Sequence, residues 1–154
     1  MKYLPILDLA RTEEEKDALI SEVEILIASV YKVKKGGFEE VLKKGIRIST
    51  KKVLEDILKK EKIDISDKKK LHLFLSDIET HIEKLKPLAI TIAFEPSLSS
   101  IEKVYSFIKK ELSSEYVVEF SIDPAILGGA IFSINGRYKD YSLKKKLDTY
   151  FQNV

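Results

Sequence analysis

The apolar residues of this chain change their spacing at Pro87, and this change limits what the chain can fold into. Before Pro87 they recur every three or four positions, which is typical of amphipathic helices. After it, Leu88 to Phe94 alternates large and small side chains, which is typical of a strand with one bulky buried face. The pattern predicts an α+β protein, with a small helical bundle over residues 1–86 and a C-terminal α/β unit over 87–154.

Four helices are expected in the first half of the chain. Thr12 and Glu15 have the spacing of a capping box, in which each side chain satisfies a free backbone amide at the start of a helix. Gly36-Gly37 separates this helix from a short second one, because glycine is poorly suited to a helix interior. The first two helices are predicted to begin near Thr12 and Phe38. Ser49 or Thr50 is predicted to cap the third, and the fourth is predicted to start at Ser66.

The second half predicts the order β-α-β-β-β-α. Ser99 and Glu102 have capping-box spacing before an apolar helical stripe. Asn135-Gly136 lies between two strand-like runs and predicts a tight hairpin, because a type I′ turn needs positive φ at both central residues. Ser142 is expected to cap the last helix. The apolar residues of that helix are predicted to face inward: Leu143, Leu147, Tyr150 and Phe151.

The stretch DPAILGGA, residues 123–130, invites comparison with a phosphate-binding loop. A P-loop needs a lysine and a serine or threonine directly after its last glycine, whereas Gly129 here is followed by Ala130 and Ile131. Asp123 is instead a good helix cap, and Pro124 suits the first helical position. We expect one short helical turn, with Gly128 supplying a left-handed residue at its end. No cofactor is predicted.

Catalytic and metal-binding residues are scarce. The chain has no cysteine, which excludes disulfides and cysteine-ligated zinc. His72 and His81 lie on one predicted helix but on opposite faces, so they cannot ligate one metal ion. Asp77 and His81 share a face, and such a pair is more often a surface hydrogen bond than a metal site. The sequence therefore predicts no catalytic, cofactor or metal site, and a protein that is not an enzyme.

The charge is unevenly distributed along the chain. Residues 1–31 carry a net −4, residues 32–86 a net +6, and the remainder balances. Paired lysines without interleaved exposed aromatic residues favour a solvated surface over a nucleic-acid site. An acidic protein partner stays open beside the solvated surface, and a small basic nucleic-acid-binding module is the alternative function. The basic runs are Lys34-Lys35, Lys43-Lys44, Lys51-Lys52, Lys59-Lys60 and Lys68-Lys69-Lys70.

The first long helix carries few charges on any face. Between Leu19 and Tyr31 the charged residues are Glu22 and Glu24, and such a helix is usually covered on two sides, by its own bundle or by a partner helix. Amphipathic faces in the second half are further candidates. The candidate partner interface consists of Leu19, Val23, Ile25 and Ile27 in the bundle and Val104, Ile108, Leu147 and Phe151 in the C-terminal unit.

Two membrane signals are missing from the sequence. The longest run without charge, Pro124 to Gly136, is shorter than the roughly 20 apolar residues that span a bilayer. The N-terminus has only a brief apolar stretch before Asp8, so it lacks the core of a secretory signal. We expect a cytoplasmic protein without direct membrane insertion.

Residues 88–151 carry a family resemblance, most clearly in FSIDPAILGGAIFSINGRYKDYSLKKKL, Phe120 to Leu147. The pattern is an Asp-Pro shortly before an apolar-Gly-Gly, then a hairpin, then Asp-x-Ser opening the last helix. It resembles the C-terminal region of the delta subunit of F-type ATP synthases, the family of the oligomycin-sensitivity-conferring protein. The matching residues are Asp123, Pro124, Leu127, Gly128, Gly129, Gly136, Asp140, Ser142 and Leu147.

The resemblance implies a non-catalytic stator component of a proton-translocating ATP synthase, held by its complex at the inner face of the membrane. In that family the helical bundle binds alpha subunits of the catalytic head, and the C-terminal region binds b subunits of the peripheral stalk; no nucleic acid is involved. The family bundle usually has about six helices. Four clear helices and a possible short turn at 3–10 predict a shortened N-terminal domain here.

Overall fold

A computed structural model of the chain describes residues 2–33, 35–113 and 115–152. The chain divides into two compact units, Met1–Leu85 and Lys86–Val154. The first unit consists of helices, and the second combines a four-stranded mixed sheet with helices. The α+β class predicted from the sequence is confirmed.

The first unit is a bundle of helices that bury their apolar residues. Its longest helices, α2 and α5, pack against each other. Its helices are α1 (Leu4–Leu7), α2 (Glu13–Ser29), α3 (Phe38–Lys44), α4 (Ile48–Lys60) and α5 (Lys68–Glu83). Fully buried side chains include Ile6, Leu19, Val23, Leu26, Leu54, Leu71, Leu75, Ile78 and Ile82. Helix α1 lies where the sequence indicated a short turn.

Capping patterns in the sequence predict one helix start of the bundle correctly and misplace another. Thr12 caps α2 as predicted, since its Oγ1 accepts a hydrogen bond from the Glu15 amide at 3.2 Å. The helix start predicted at Ser66 is displaced, because Asp67 is the cap of α5: its Oδ1 accepts from the Lys70 amide at 3.1 Å. A carboxylate is a strong acceptor for the free amides of a first turn.

The cap predicted at Ser49 or Thr50 is also wrong, because α4 already begins at Ile48, after Arg47. Thr50 is buried inside the helix, and its hydroxyl donates to a side chain of α2 instead of accepting from the backbone. A tertiary contact has replaced the local capping interaction here.

The second unit is built on a sheet with strand order β2-β1-β3-β4. β1 pairs in parallel with β2 and antiparallel with β3, and β3 pairs antiparallel with β4. The parallel pair is connected through a helix, as parallel strands require. The elements are β1 (Lys86–Ile92), α6 (Leu98–Glu111), β2 (Tyr116–Ile122), a 3₁₀ turn (Pro124–Ile126), β3 (Ala130–Ile134), β4 (Arg137–Asp140) and α7 (Leu143–Gln152).

The core of this unit lies between the sheet and α6. Leu88 and Ile90 of β1 are buried together with Ile108 of α6, so the predicted alternation holds for these residues. The prediction is wrong for Phe94, which lies beyond the end of β1 and is 72% exposed. Helix α6 begins after Ser97, whose Oγ accepts from the Ser100 amide at 3.2 Å, so the cap predicted at Ser99 is two residues late. The serine run offers several equivalent acceptors, and sequence spacing alone does not choose among them.

The inward orientation predicted for the apolar face of α7 is wrong. Leu143 and Leu147 are 44% and 37% exposed, and Tyr150 and Phe151 are 66% and 70% exposed. None of the described residues of α7 is buried. The reason is that α6 already covers the core face of the sheet, whereas α7 packs against the small 3₁₀ turn.

Candidate interaction surfaces

The DPAILGG stretch forms a tight connection between β2 and β3. Asp123 Oδ1 accepts from the Ala125 amide at 2.9 Å, which caps the 3₁₀ turn as predicted. The left-handed residue that ends this turn is Leu127, with φ of +63°, and not Gly128 as expected. Asp123 is exposed, and its side chain serves the backbone of its own turn.

Gly129 lies against the backbone at the start of α7. A Cβ on this residue would lie 2.3 Å from Tyr141 O, a distance at which atoms overlap, and its φ is +72°. The amide of Leu143 donates to Gly128 O at 2.9 Å. Only glycine fits this close approach, and the approach fixes where α7 begins.

Two further residues of the family pattern hold the same junction. Asp140 Oδ1 accepts from the Ser142 amide at 2.8 Å, and Ser142 Oγ accepts from the Lys145 amide at 3.2 Å. The hydrogen bonds from Ser142 keep the pKa of the Asp140 carboxyl below its usual value. Asp-x-Ser is therefore an interlocked cap for α7.

The predicted hairpin is present between β3 and β4. Asn135 and Gly136 have φ of +49° and +75°, as a type I′ turn requires. Ile134 pairs directly with Arg137 across the turn. The predicted motif residues of the C-terminal unit thus lie in turns and at the start of a helix.

The two histidines have different neighbours. The ring of His72 lies 5.7 Å from the ring of Tyr31, and that of His81 lies 4.8 Å from the ring of Tyr3. His81 Nδ1 lies 2.7 Å from the backbone oxygen of Asp77, and a carbonyl only accepts, so this nitrogen carries the hydrogen. Within residues 2–33, 35–113 and 115–152, no group of three or more metal-binding side chains occurs.

The lysine runs lie on several helices of the bundle. Some lysines face acids, as in Lys51 with Glu55 at 4.0 Å and Lys70 with Asp67 at 3.2 Å. Lys43-Lys44 and Lys59-Lys60 are exposed. Lys34 of the first run lies outside the described residues. These positions fit the solvated and partly compensated surface expected from the sequence.

In the bundle, the candidate interface residues divide into core and surface. Leu19 and Val23 are completely buried, so they cannot contact a partner in the folded bundle, and their assignment to the interface is corrected. Ile27 is partly buried, and Ile25 is 48% exposed. Around Ile25, the exposed face of α2 carries small residues: Ala18, Ser21 and Ala28.

Acidic side chains border this face where α2 meets α5. Burial, and then the charges of Glu83 and Glu24, raise the pKa of Glu79 above its usual value. Glu79 belongs to α5 and Glu24 to α2, so like charges from two helices lie near one another. The exposed strip of α2 around Ile25 is thus apolar at its centre and acidic at its edge.

The C-terminal candidates also divide. Ile108 is buried against the sheet and is withdrawn from the interface, and Val104 is partly buried beside it. Leu147 and Phe151 are exposed, as an interface requires. Leu143 and Tyr150, predicted to face inward, are exposed, because amphipathic spacing shows that a face exists but not whether the protein covers it. Leu127, in the turn before Gly128, is a further exposed apolar residue that the sequence did not indicate.

Searches against known proteins identify relatives of this chain. A sequence model of the family described as the ATP synthase delta (OSCP) subunit matches residues 9–153. A protein of Rickettsia bellii (strain OSU 85-389) named ATP synthase subunit delta is 28% identical over 165 aligned positions, which cover 93% of this chain and 84% of that protein.

These matches include both units and confirm the family inferred from the DPAILGG region. Among the described residues, the helices are too short or too polar to cross a membrane. The chain therefore belongs to the ATP synthase delta (OSCP) subunit family, whose members are structural, non-catalytic subunits of F-type ATP synthases.

Proposed function

We propose that this chain is a stator that links the catalytic head of its ATP synthase to the membrane sector through the peripheral stalk. The helical bundle binds alpha subunits of the head, and the C-terminal unit binds b subunits of the stalk. The chain works on the cytoplasmic side, at the inner face of the cell membrane, and is held there by its complex.

The observation that carries this proposal is that each unit has its own exposed apolar surface. In the bundle it is the face of α2 around Ile25, and in the second unit it is the outer face of α7. A bridging protein needs two separate binding surfaces, because its two partners must be held at the same time. Exposed apolar side chains grouped in this way are typical of protein contacts.

The bundle surface suits a helix from the head. Small side chains at Ala18, Ser21 and Ala28 leave room for close approach of a second helix, and Ile25 provides apolar area at the centre. Glu24 and Glu79 at the edge favour a partner with basic residues beside its apolar stripe, since complementary charges set orientation and speed association.

Reconstitution tests the bridge directly. The full chain is mixed with a head assembly that lacks this subunit and with the cytoplasmic part of the b subunits, and the mixture is separated by size-exclusion chromatography. We expect head and b to co-elute only when the chain is present. A chain that binds neither partner would exclude the stator function.

Variants at surface residues test which surface of the chain binds the head. Ile25→Asp should weaken binding to the head by at least about tenfold, because a buried unpaired carboxylate at an interface costs more than about 1.4 kcal/mol. Binding to b should be unchanged. The matched control is Ile48→Asp, on α4, where the isoleucine is also exposed. Equal head binding by Ile25→Asp and the unmodified chain would place the head contact elsewhere.

A further inference from the structure

The second unit combines three locally unfavourable features on one surface. The first is Leu127, which has a left-handed backbone with φ of +63° and a side chain 59% exposed to solvent. A leucine gains nothing from this conformation, which glycine or asparagine adopts more easily. Neither backbone preference nor burial therefore accounts for a leucine at this position.

The second feature is the outer face of α7. At about 100° per residue, Leu143, Leu147, Tyr150 and Phe151 fall within a stripe about 100° wide along the helix. All four are exposed. The rings of Tyr150 and Phe151 lie 5.7 Å apart, so the aromatic end of the stripe is a paired group. This is the width of an apolar face that other helices bury.

The third feature is the charge in the first turn of α7. Lys144 and Lys146 lie on either side of the apolar stripe, whereas Lys145 points to the opposite side of the helix and is electrostatically coupled to Asp140. The first turn of α7 holds no acidic residue. Cations near the N-terminal end of a helix oppose its dipole, so Lys144 and Lys146 do not serve the stability of α7.

The three features are continuous in space. The Leu143 amide donates to Gly128 O at 2.9 Å, and a Cβ on Gly128 would lie 3.8 Å from Leu143 Cβ. Leu127 precedes Gly128 directly, so it lies next to the beginning of the α7 stripe. Beside the helix, a groove of about 290 Å³ is lined by Asp140, Tyr141, Lys145, Lys146 and Thr149.

We propose that Leu127 and the α7 stripe form a docking surface for an amphipathic helix of the stalk partner whose apolar stripe is flanked by aspartate or glutamate. This inference rests on the proposed function, because it assigns the stalk contact to one surface and gives the chemistry of its partner. Charge complementarity selects the occupant, since Lys144 and Lys146 flank the stripe on both sides at its N-terminal end. Leu127 is the apolar anchor, held at the end of the 3₁₀ turn.

The first test reverses the flanking charges. The full chain carrying Lys144→Glu and Lys146→Glu is titrated with the cytoplasmic part of b at about 50 mM and about 300 mM salt. We expect at least about a tenfold loss of affinity at low salt and a smaller difference at high salt. Glutamate near the start of a helix favours the dipole, so α7 should stay folded, which circular dichroism checks.

A matched control carries the same change of charge on another unit. Lys52→Glu and Lys60→Glu replace two exposed lysines of α4. This double variant should bind b as the unmodified chain does. An equal loss in both double variants would show that net charge, and not the α7 surface, governs binding, and would overturn the proposal.

The second test uses the strained leucine. Leu127→Asn should leave the melting temperature unchanged or raise it, because asparagine tolerates the left-handed conformation better than leucine. Affinity for b should fall at least about tenfold with the loss of an apolar anchor. Opposite effects on stability and binding distinguish a docking residue from a structural one. A lower melting temperature with unchanged affinity would assign Leu127 to the fold.

The outcomes separate this inference from the function on which it rests. If b binds the unmodified chain and all variants equally, the docking surface is wrong and the stator function stands. If b does not bind the unmodified chain, both fail. The same variants are tested on vesicles of phosphatidylcholine and phosphatidylserine and by sedimentation of the chain alone. Variant-sensitive binding to lipid, or variant-sensitive self-association, without binding to b would overturn the proposal in favour of a membrane or a second copy.

Discussion

Arg47 and Glu22 form a two-point contact between the start of α4 and the middle of α2. Arg47 Nε lies 2.9 Å from Glu22 Oε1, and Arg47 Nη2 lies 3.1 Å from Glu22 Oε2. The Arg47 amide and the Thr50 hydroxyl donate to the same carboxylate, at 2.8 and 2.6 Å. A buried glutamate on an apolar helix thus has partners for both oxygens, which makes its burial tolerable.

Removal of this carboxylate should destabilise the bundle. In Glu22→Ala the buried Thr50 hydroxyl and the Arg47 amide lose their acceptor, which typically costs about 1–3 kcal/mol. Chemical denaturation of the full chain measures the free energy of unfolding. Glu24→Ala, an exposed neighbour on the same helix, should change it by less than about 0.5 kcal/mol. Equal stability of the two variants would contradict the role given to Glu22.

Stability should fall in acid through Glu22 and Glu15. Burial alone would raise the pKa of each, but hydrogen bonds from Arg47 and Thr50 to Glu22, and from Arg11 to Glu15, outweigh it and hold both values below the ordinary 4.5. A depressed pKa in the folded state stabilises the protein above the unfolded pKa. That contribution is lost as the pH falls from about 4.5 through the folded values.

Glu79 affects the pH dependence of stability in the opposite direction. Because its pKa is raised in the folded protein, protonation of Glu79 slightly stabilises the fold. Thermal melts of the full chain between pH 7 and about pH 3 should therefore show a loss of stability that Glu22→Gln reduces, while Glu79→Gln steepens the net acid dependence. An unchanged pH profile in Glu22→Gln would disprove the linkage to this carboxyl.

Two glycine-to-alanine substitutions should differ sharply in how much folding stability they cost. Gly129→Ala puts a Cβ 2.3 Å from Tyr141 O at a φ of +72°, and should cost much more than about 1 kcal/mol. Gly136 also has positive φ, at +75°, but has open space around its Cβ position, so Gly136→Ala should cost only about 1–2 kcal/mol from backbone strain. Melting temperatures of the two variants compare them directly. A larger loss of stability in Gly136→Ala than in Gly129→Ala would show that Tyr141 O does not lie close to Gly129.

Core and surface residues of α2 should respond differently to truncation. Leu19 is fully buried, so Leu19→Ala should cost about 2–5 kcal/mol. Ile25→Ala should change stability by about 0.5 kcal/mol or less, since Ile25 is 48% exposed. Denaturant titration of both variants measures this difference. A large loss of stability in Ile25→Ala would mean that this residue belongs to the bundle core.

The sequence predicts best what neighbouring residues determine together. Asn135-Gly136 specifies its hairpin, because the left-handed backbone of both residues selects one turn type. Thr12 with Glu15 likewise marks the start of α2. Where several polar residues lie together, as at Ser66 and Asp67, the local signal is degenerate and the predicted start is displaced.

Features that depend on distant residues could not be predicted. The partners of Glu22 lie 25 and 28 positions away, and no local pattern connects them. The exposure of α7 depends on α6 having already covered the sheet. The left-handed Leu127 is hidden from sequence reasoning because Gly128 beside it is the residue that such a turn usually employs.

The pairing of β1 also determines when the second unit can fold during synthesis. Leu88 pairs with Val118, and Ile90 pairs with Phe132, so the central strand must wait for distant segments before its backbone is satisfied. Such non-local pairing is slow, whereas helices form from contacts close in the chain. We expect the bundle to fold before the second unit during synthesis, because it precedes the partner strands of β1 in the chain. Until those strands are made, β1 is an unpaired apolar strand, which favours aggregation.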